Sequence, residues 1–129
     1  MTRITIQYDE NGVPRKLRLS GHTGYASSGE DVVCAAVSAL TINTVNSLEY
    51  FLPEDKFRDT SDEKKGFIEF EFVCDPSEKA QLLVNSLIFG LKNIKDQYGN
   101  TYLKITEKPF GHSRRPPGKR QKGKNDAEV

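Results

Sequence analysis

The sequence predicts an α+β fold, a two-layer domain in which two long helices pack on a small, mostly antiparallel sheet. Three observations support it: segments with alternating apolar and polar residues, two stretches with helical apolar spacing, and the element order β-β-α-β-α-β. The 129 residues, 36% of them hydrophobic, suffice for one modest core. We predict one folded domain over residues 1–109 and a disordered basic tail over residues 110–129.

The chain opens with a predicted β-hairpin. Ile4 and Ile6 alternate with polar residues, as in a strand with one buried face. Asn11-Gly12 then forms the strongest short turn signal for a hairpin. A return strand over residues 16–20 shows the same alternation and ends at Gly21-His22.

The first helix is predicted to follow a loop of small and polar residues. It begins near Asp31, a residue type that favours the N-cap, and Pro53 closes it. Mostly apolar residues spaced three or four positions apart predict the helix face that packs on the core. They are Val33, Val37, Leu40, Thr44, Leu48 and Phe51.

Charged residues 54–65 form a connection, with room for a short edge strand around Phe57. A further strand follows, in which Ile68, Phe70 and Phe72 alternate with glutamates. This alternation indicates a strand with one buried face and one face in water.

The second helix is predicted from a start signal and an apolar stripe. Asp75 is the expected cap, Pro76 the first helical residue and Glu78 the partner in a capping box. Gly99 is expected just after the helix, and residues 101–105 form the last strand. The apolar stripe consists of Ala80, Leu83, Val84, Leu87, Ile88, Leu91, Ile94 and Tyr98.

Charge is distributed unevenly along the chain. Residues 1–110 hold 13 basic and 16 acidic side chains, whereas residues 111–129 hold six basic and two acidic ones. The latter segment has no large apolar residue before its terminal valine, so it cannot bury enough surface to offset its ordering entropy. We therefore predict a disordered tail that offers RNA a weak, salt-sensitive contact.

Several classes of protein are not expected. No uninterrupted run of about 18 apolar residues is present, so we predict no membrane span. The N-terminus lacks the apolar stretch of a secretory signal. Two widely spaced cysteines do not make a disulfide framework, which favours a reducing, cytoplasmic setting. Because no metal-ligand spacing, phosphate loop or dinucleotide fingerprint occurs, we predict no metal and no cofactor.

One stretch carries a possible nucleophile and base. His22 ends a predicted strand, and Cys34 is expected in the first turn of the next helix, where the helix dipole favours a thiolate. Such a pair is suited to nucleophilic catalysis, with N–H groups at the helix start as oxyanion donors. The alternative is a strand-end histidine and a small buried cysteine without catalytic roles, which the residue types alone favour. The connecting loop exceeds the usual two to six residues or so, as a substrate loop would.

The stretch GHTGYASSGEDVVCAAVSAL resembles the signature of the ribosomal-processing cysteine protease family, Prp. The family pattern resembles G-H-x-x-Y-x-x-x-G-x-D-x-x-C-A-A-V-S. Its fixed positions are met by Gly21, His22, Tyr25, Gly29, Asp31, Cys34, Ala35, Ala36, Val37 and Ser38. The resemblance covers residues 1–107 and leaves the tail outside.

The resemblance implies a cytoplasmic cysteine endopeptidase. Family members are homodimers that remove a short N-terminal extension from the large-subunit ribosomal protein L twenty-seven. By this match Cys34 is the nucleophile and His22 the general base, while Asp31 and Ser38 support them. The residues Gly21, Tyr25 and Gly29 are assigned to a substrate loop.

Two alternatives remain open from the sequence. One is a non-enzymatic ribosome- or RNA-associated binding module, which would use the basic tail and the sheet face. The other is a thiol hydrolase with a small-molecule substrate, which would use the same Cys/His pair. A protease requires a groove for several substrate residues beside Cys34, whereas a small-molecule hydrolase requires a closed pocket.

Overall fold

The computed structural model describes residues 1–21, 28–62 and 66–111, except the side chains of Ser28 and Glu30. Two helices and five strands alternate in an order that confirms the predicted α+β class. The optional edge strand is present as β3. The elements are β1 (Thr2–Tyr8), β2 (Pro14–Ser20), α1 (Ser28–Phe51), β3 (Phe57–Asp62), β4 (Phe67–Phe72), α2 (Glu78–Tyr98) and β5 (Leu103–Pro109).

The β1–β2 hairpin forms because the residues of its turn satisfy their own backbone groups. Asp9 accepts the Asn11 N–H on its side chain at 2.8 Å and the Gly12 N–H on its carbonyl at 3.0 Å. Gly12 adopts a φ of 80°, which glycine reaches without steric cost. The predicted hairpin is therefore confirmed.

The five strands form one sheet in the order β3-β4-β2-β1-β5. All neighbouring pairs are antiparallel except β1 and β5, which run parallel. Their register aligns alternate residues across the sheet, so that Ile6, Leu17, Phe70 and Asp59 form one row. Since partners in a ladder project to the same side, this row faces the helices, and its three apolar members belong to the core.

A single hydrophobic core lies between the sheet and the two helices. Ile6, Leu17 and Phe70 are at most 1% exposed. The aromatic rings of Phe57, Phe70 and Phe72 meet edge to face beneath the helices, with centroids 5.7 to 6.4 Å apart. Burial of this apolar area, at about 25 cal/mol per Å², holds the two layers together.

Helix α1 differs from the prediction in its start and in part of its buried face. It begins at Ser28 rather than near Asp31, which is therefore not the N-cap. Leu40 and Phe51 are 37% and 67% exposed, while Thr41 is fully buried and donates its hydroxyl hydrogen to the Val37 carbonyl. Thr41 is one residue, or about 100° of helix rotation, from the predicted position Leu40.

By length and composition alone, α1 also resembles a membrane-crossing segment over Asp31–Phe51. A search for an uninterrupted run of apolar residues does not find this segment, because polar residues occur within it. In the fold, its fully buried residues Val33, Val37 and Leu48 pack into the core formed with the sheet. Core packing accounts for part of this apolar character, while Val32, Ile42, Tyr50 and Phe51 are exposed.

Helix α2 is capped two residues later than predicted. Ser77 is the N-cap, and its hydroxyl accepts the Ala80 N–H at 3.2 Å. Asp55 fixes that serine by accepting both its N–H and its hydroxyl hydrogen. Asp75, the predicted cap, instead lies beside Arg15. Gly99 ends the helix as predicted, with its N–H donated to the carbonyl of Lys95.

Candidate active site

A cleft of about 360 Å³ lies between α1 and the β3–β4 hairpin. Cys34 and Ser38 line it, separated by one helical turn. Ile42 extends this face by another turn. The lining therefore follows α1 lengthwise and brings together the predicted nucleophile and one predicted supporting residue. The lining is completed by Thr2, Leu19, Ser20, Val45, Asn46, Asp59, Thr60, Ser61, Asp62, Gly66, Phe67 and Ile68.

Cys34 is a free, half-buried thiol. It lies six residues after Ser28, so it is in the second turn of α1 and not in the first. At about 1.5 Å per residue, the helix start is about 9 Å from Cys34 along the axis. Because the influence of the dipole decays within the first turn, the predicted activation by the helix end is much weakened. The free N–H groups of that first turn are equally displaced as oxyanion donors.

The two supporting residues occupy different places. Ser38 is half-buried in the cleft, and within the described part of the chain its hydroxyl makes no hydrogen bond. This hydroxyl is free to contact a bound substrate. Asp31 is exposed near the start of α1 and does not belong to the cleft lining.

His22 and Tyr25 lie outside the described residues, so the pairing of His22 with Cys34 stays a prediction. Ser20, two residues before His22, lines the cleft together with Cys34. The chain therefore leaves β2 at the cleft. This proximity is compatible with a base supplied from the segment that follows.

Gly21 is required by the backbone at the end of β2. Its φ is 115°, a conformation that other residues rarely adopt. A Cβ atom here would also overlap the carbonyl oxygen of Met1. These two constraints explain the glycine at the position from which the chain continues to His22. The predicted role of Gly21 in a substrate loop stays a prediction.

Gly29 lies within α1 rather than in the preceding loop. A Cβ atom at this position would be 2.8 Å from the hydroxyl oxygen of Tyr102 and 2.9 Å from its Cζ. The Tyr102 ring, which precedes β5, therefore packs directly against the first turn of α1. This contact was not expected from the sequence, and it links the last strand to the helix that carries Cys34.

A second cavity of about 400 Å³ lies at the other end of β1, lined by Tyr8, Glu107 and Phe110 among others. The hydroxyl of Tyr8 donates a hydrogen bond to Glu107. Burial, reinforced by this carboxylate, raises the pKa of Tyr8 well above its usual value. The same hydrogen bond lowers the pKa of Glu107, with help from Lys92 at 3.2 Å. Among the described residues, the lining of this cavity contains no cysteine or serine.

No group of three or more potential metal-ligating side chains occurs in the part of the chain that the structure describes. A short edge strand around Phe57 was expected from the sequence, but its place as one wall of the cleft was not; this strand is β3. Its inward positions after Phe57 are Asp59 and Ser61, and such polar residues are typical of a connection. The alternation Phe57, Asp59, Ser61 was the signal that a strand with a polar inner face was present.

Comparison with known proteins shows the family of the chain. Residues 1–104 match the family model of the cysteine protease Prp. The ribosomal processing cysteine protease Prp of Bacillus subtilis is 31% identical over 110 residues, which cover 82% of this chain and 96% of that protein. The fold is similar to that of an essential ribosomal processing protease Prp from S. aureus, solved in complex with a substrate peptide. The TM-score is 0.77 and the identity 21%, and the match covers 83% of this chain and 99% of that one. A Streptococcus mutans protein is 27% identical, with a TM-score of 0.75 and coverage of 84% and 95%.

Proposed function

The chain belongs to the Prp family of cysteine proteases, and from this membership we propose that it is the endopeptidase that removes the N-terminal extension of ribosomal protein L twenty-seven. The observation that carries the proposal is the position of Cys34, which lines an elongated cleft. Relatives named ribosomal processing proteases support the substrate, and one was crystallised with a substrate peptide.

The shape of the cleft favours a peptide over a small-molecule substrate. Its lining on α1 extends from Cys34 to Asn46. Twelve residues at about 1.5 Å each correspond to about 18 Å of helix. An extended peptide rises about 3.3 Å per residue, so this length accommodates about five substrate residues. A closed pocket would have favoured a small-molecule thiol hydrolase.

The proposed reaction is acyl transfer through a thioester. The Sγ atom of Cys34 attacks the carbonyl carbon of the scissile peptide bond as His22 removes the thiol proton. The resulting tetrahedral oxyanion collapses, the C–N bond breaks, and His22 returns the proton to the leaving amine. Water, deprotonated by His22, then attacks the thioester carbonyl and releases the acid product and the Cys34 thiol.

Ser38 and Asp31 have supporting roles in this proposal. The free Ser38 hydroxyl, one turn from the nucleophile, donates a hydrogen bond to the bound peptide or to the reacting carbonyl. Asp31 lies three residues before Cys34, and in this proposal its carboxylate orients the His22 imidazolium. Neither residue replaces the nucleophile or the base.

We also propose that the protease works as a homodimer. Large apolar side chains are exposed on the outer sides of both helices: Tyr50 is 80% exposed, and Leu82 and Phe89 are 69% exposed. A contiguous patch of exposed apolar residues is typical of a protein interface, and in this proposal these side chains form part of one. Sedimentation of the wild type and of Phe89→Glu tests this proposal, and an unchanged dimer in the variant would place the interface elsewhere.

The proposed setting is the cytoplasm, where both thiols stay reduced, and the basic tail supplies a weak contact with rRNA. A non-enzymatic RNA-binding module has less support. On the open face of the sheet, Arg18 is 3.2 Å from Glu69, and Lys16 lies within 3.8 Å of both Glu69 and Glu71. These carboxylates compete with phosphate groups for the basic side chains.

The deciding experiment is cleavage of the extended ribosomal protein from the same organism, followed by intact mass. The wild type should remove a short N-terminal peptide, and Cys34→Ala should leave the substrate intact while it keeps its circular dichroism spectrum. Cys74→Ser is the matched control, because Cys74 is an exposed cysteine outside the cleft lining. Cleavage by Cys34→Ala, or none by the folded wild type, would refute the proposal.

A further inference from the structure

Asp59 lines the substrate cleft at a strand position whose neighbours on the same face belong to the hydrophobic core. In the register of β3 and β4, Phe57 is opposite Phe72 and Asp59 is opposite Phe70. Both partners are buried beneath the helices, at 1% exposure. Since paired residues project to the same side, the Asp59 side chain points toward the helix layer. There it lines the same cleft as Cys34.

The Asp59 carboxylate has no cationic partner within the described part of the chain. Its neighbour Arg58 projects to the opposite face of the sheet, where it lies 3.8 Å from Glu71. Among the described residues, the cleft lining contains neither lysine nor arginine. The cleft therefore combines the Asp59 carboxylate with apolar side chains, among them Ile42 and Phe67.

We propose that Asp59 is a specificity-determining residue that binds a basic side chain of the substrate within about five residues of the cleaved bond. The proposal rests on the proposed protease function and adds the substrate class, a peptide that carries a lysine or arginine beside apolar residues. The Asp59 carboxylate attracts the cation, and the apolar surface binds the neighbouring side chains. Charged residues on edge strands also serve to prevent aggregation, and this role predicts no preference among substrates.

The test compares peptides that span the cleavage site, in which lysine or norleucine is placed at each of five positions on either side of the bond. At low salt the wild type should cleave one lysine peptide about three- to tenfold faster, in kcat/KM, than its norleucine counterpart. This ratio should fall to about one in Asp59→Asn and toward one in the wild type at high salt. Asp59→Lys should instead favour glutamate at that position.

Asp96→Asn is the matched control, because it removes an exposed carboxylate from α2, outside the cleft lining, and should keep the ratio. The same peptides are also titrated against Cys34→Ala with and without Asp59→Asn, so that binding is measured independently of cleavage. Equal binding and cleavage ratios with and without the Asp59 charge would overturn the proposal. Binding that depends on Asp59, without any cleavage by the wild type, would support this proposal and refute the protease function.

Discussion

Replacement of Gly29 by alanine tests whether contact with Tyr102 fixes the helix that carries Cys34. The new methyl group would lie 2.8 Å from the tyrosine hydroxyl oxygen and 2.9 Å from Cζ, whereas non-bonded heavy atoms prefer about 3.5 Å or more. The Tyr102 carbonyl accepts the Thr2 N–H at 2.9 Å, so its backbone is held in place. Relief therefore requires rotation of the ring or displacement of the first turn of α1.

The expected cost follows from two opposing terms. Overpacking of this kind costs about 1–3 kcal/mol. Alanine is favoured over glycine in a helix by about 0.5–1 kcal/mol, which offsets part of that cost. We expect Gly29→Ala to lower the free energy of unfolding in urea by about 0.5–2 kcal/mol. The rate of cleavage should fall as well, because a displaced first turn moves the adjoining turn that holds Cys34.

Two further variants isolate the contact. Gly90→Ala makes the same exchange in α2, where the nearest atom is the mobile Leu40 Cδ1 at 3.1 Å, so we expect a change within about 0.5 kcal/mol. Tyr102→Leu removes the ring, and in this background Gly29→Ala should cost at least about 1 kcal/mol less than in the wild type. Equal costs in both backgrounds, or a Gly29→Ala protein as stable as the wild type, would refute this reasoning.

Three other predictions concern the scaffold around the site. Gly21→Ala should lower the midpoint of thermal unfolding strongly, because the new Cβ atom would overlap the Met1 carbonyl oxygen and the residue would keep a φ of 115°. An unchanged midpoint would show that this position does not require glycine. The fold lowers the pKa of Glu107 below its ordinary 4.5. The stability contributed by this carboxylate is therefore complete above pH 4.5 and is lost as the pH falls through the folded-state pKa. Tyr8→Phe should weaken this loss in urea titrations from pH 7 to pH 3, and identical profiles of the variant and the wild type would exclude the coupling. Ser77→Ala should cost about 1 kcal/mol in urea unfolding and leave cleavage unchanged, and a loss of cleavage out of proportion would show that the cap has another role.

The sheet and most of the core were predictable because their signal is local. The alternation of Ile4 and Ile6 before Asn11-Gly12 specifies a strand and its turn within one short stretch. The inner face of α1 was predicted less well. Thr41 is buried because its hydroxyl is satisfied by the Val37 carbonyl, a solution that a pattern of apolar residues does not reveal.

The candidate site was predictable only where the motif lies along one helix. Cys34 and Ser38 share a helical face, so their proximity follows from their spacing. The opposite wall comes from β3, and polar residues such as Asp59 that line a groove resemble those of a connection. The lining residues Asp59, Thr60, Ser61 and Asp62 become apparent only once β3 is placed beside α1.

The start of α1 at Ser28 changes the chemical argument about Cys34. In the second turn, the thiol is beyond the reach of the strongest part of the helix dipole. A nucleophilic thiolate then depends chiefly on a base, and Ser20 brings the chain to the cleft two residues before His22. The helix contributes position instead: it projects Cys34 and Ser38 along a cleft that accommodates an extended peptide. We therefore expect catalysis to require that α1 be held against the sheet, where its first turn packs on Tyr102 at Gly29.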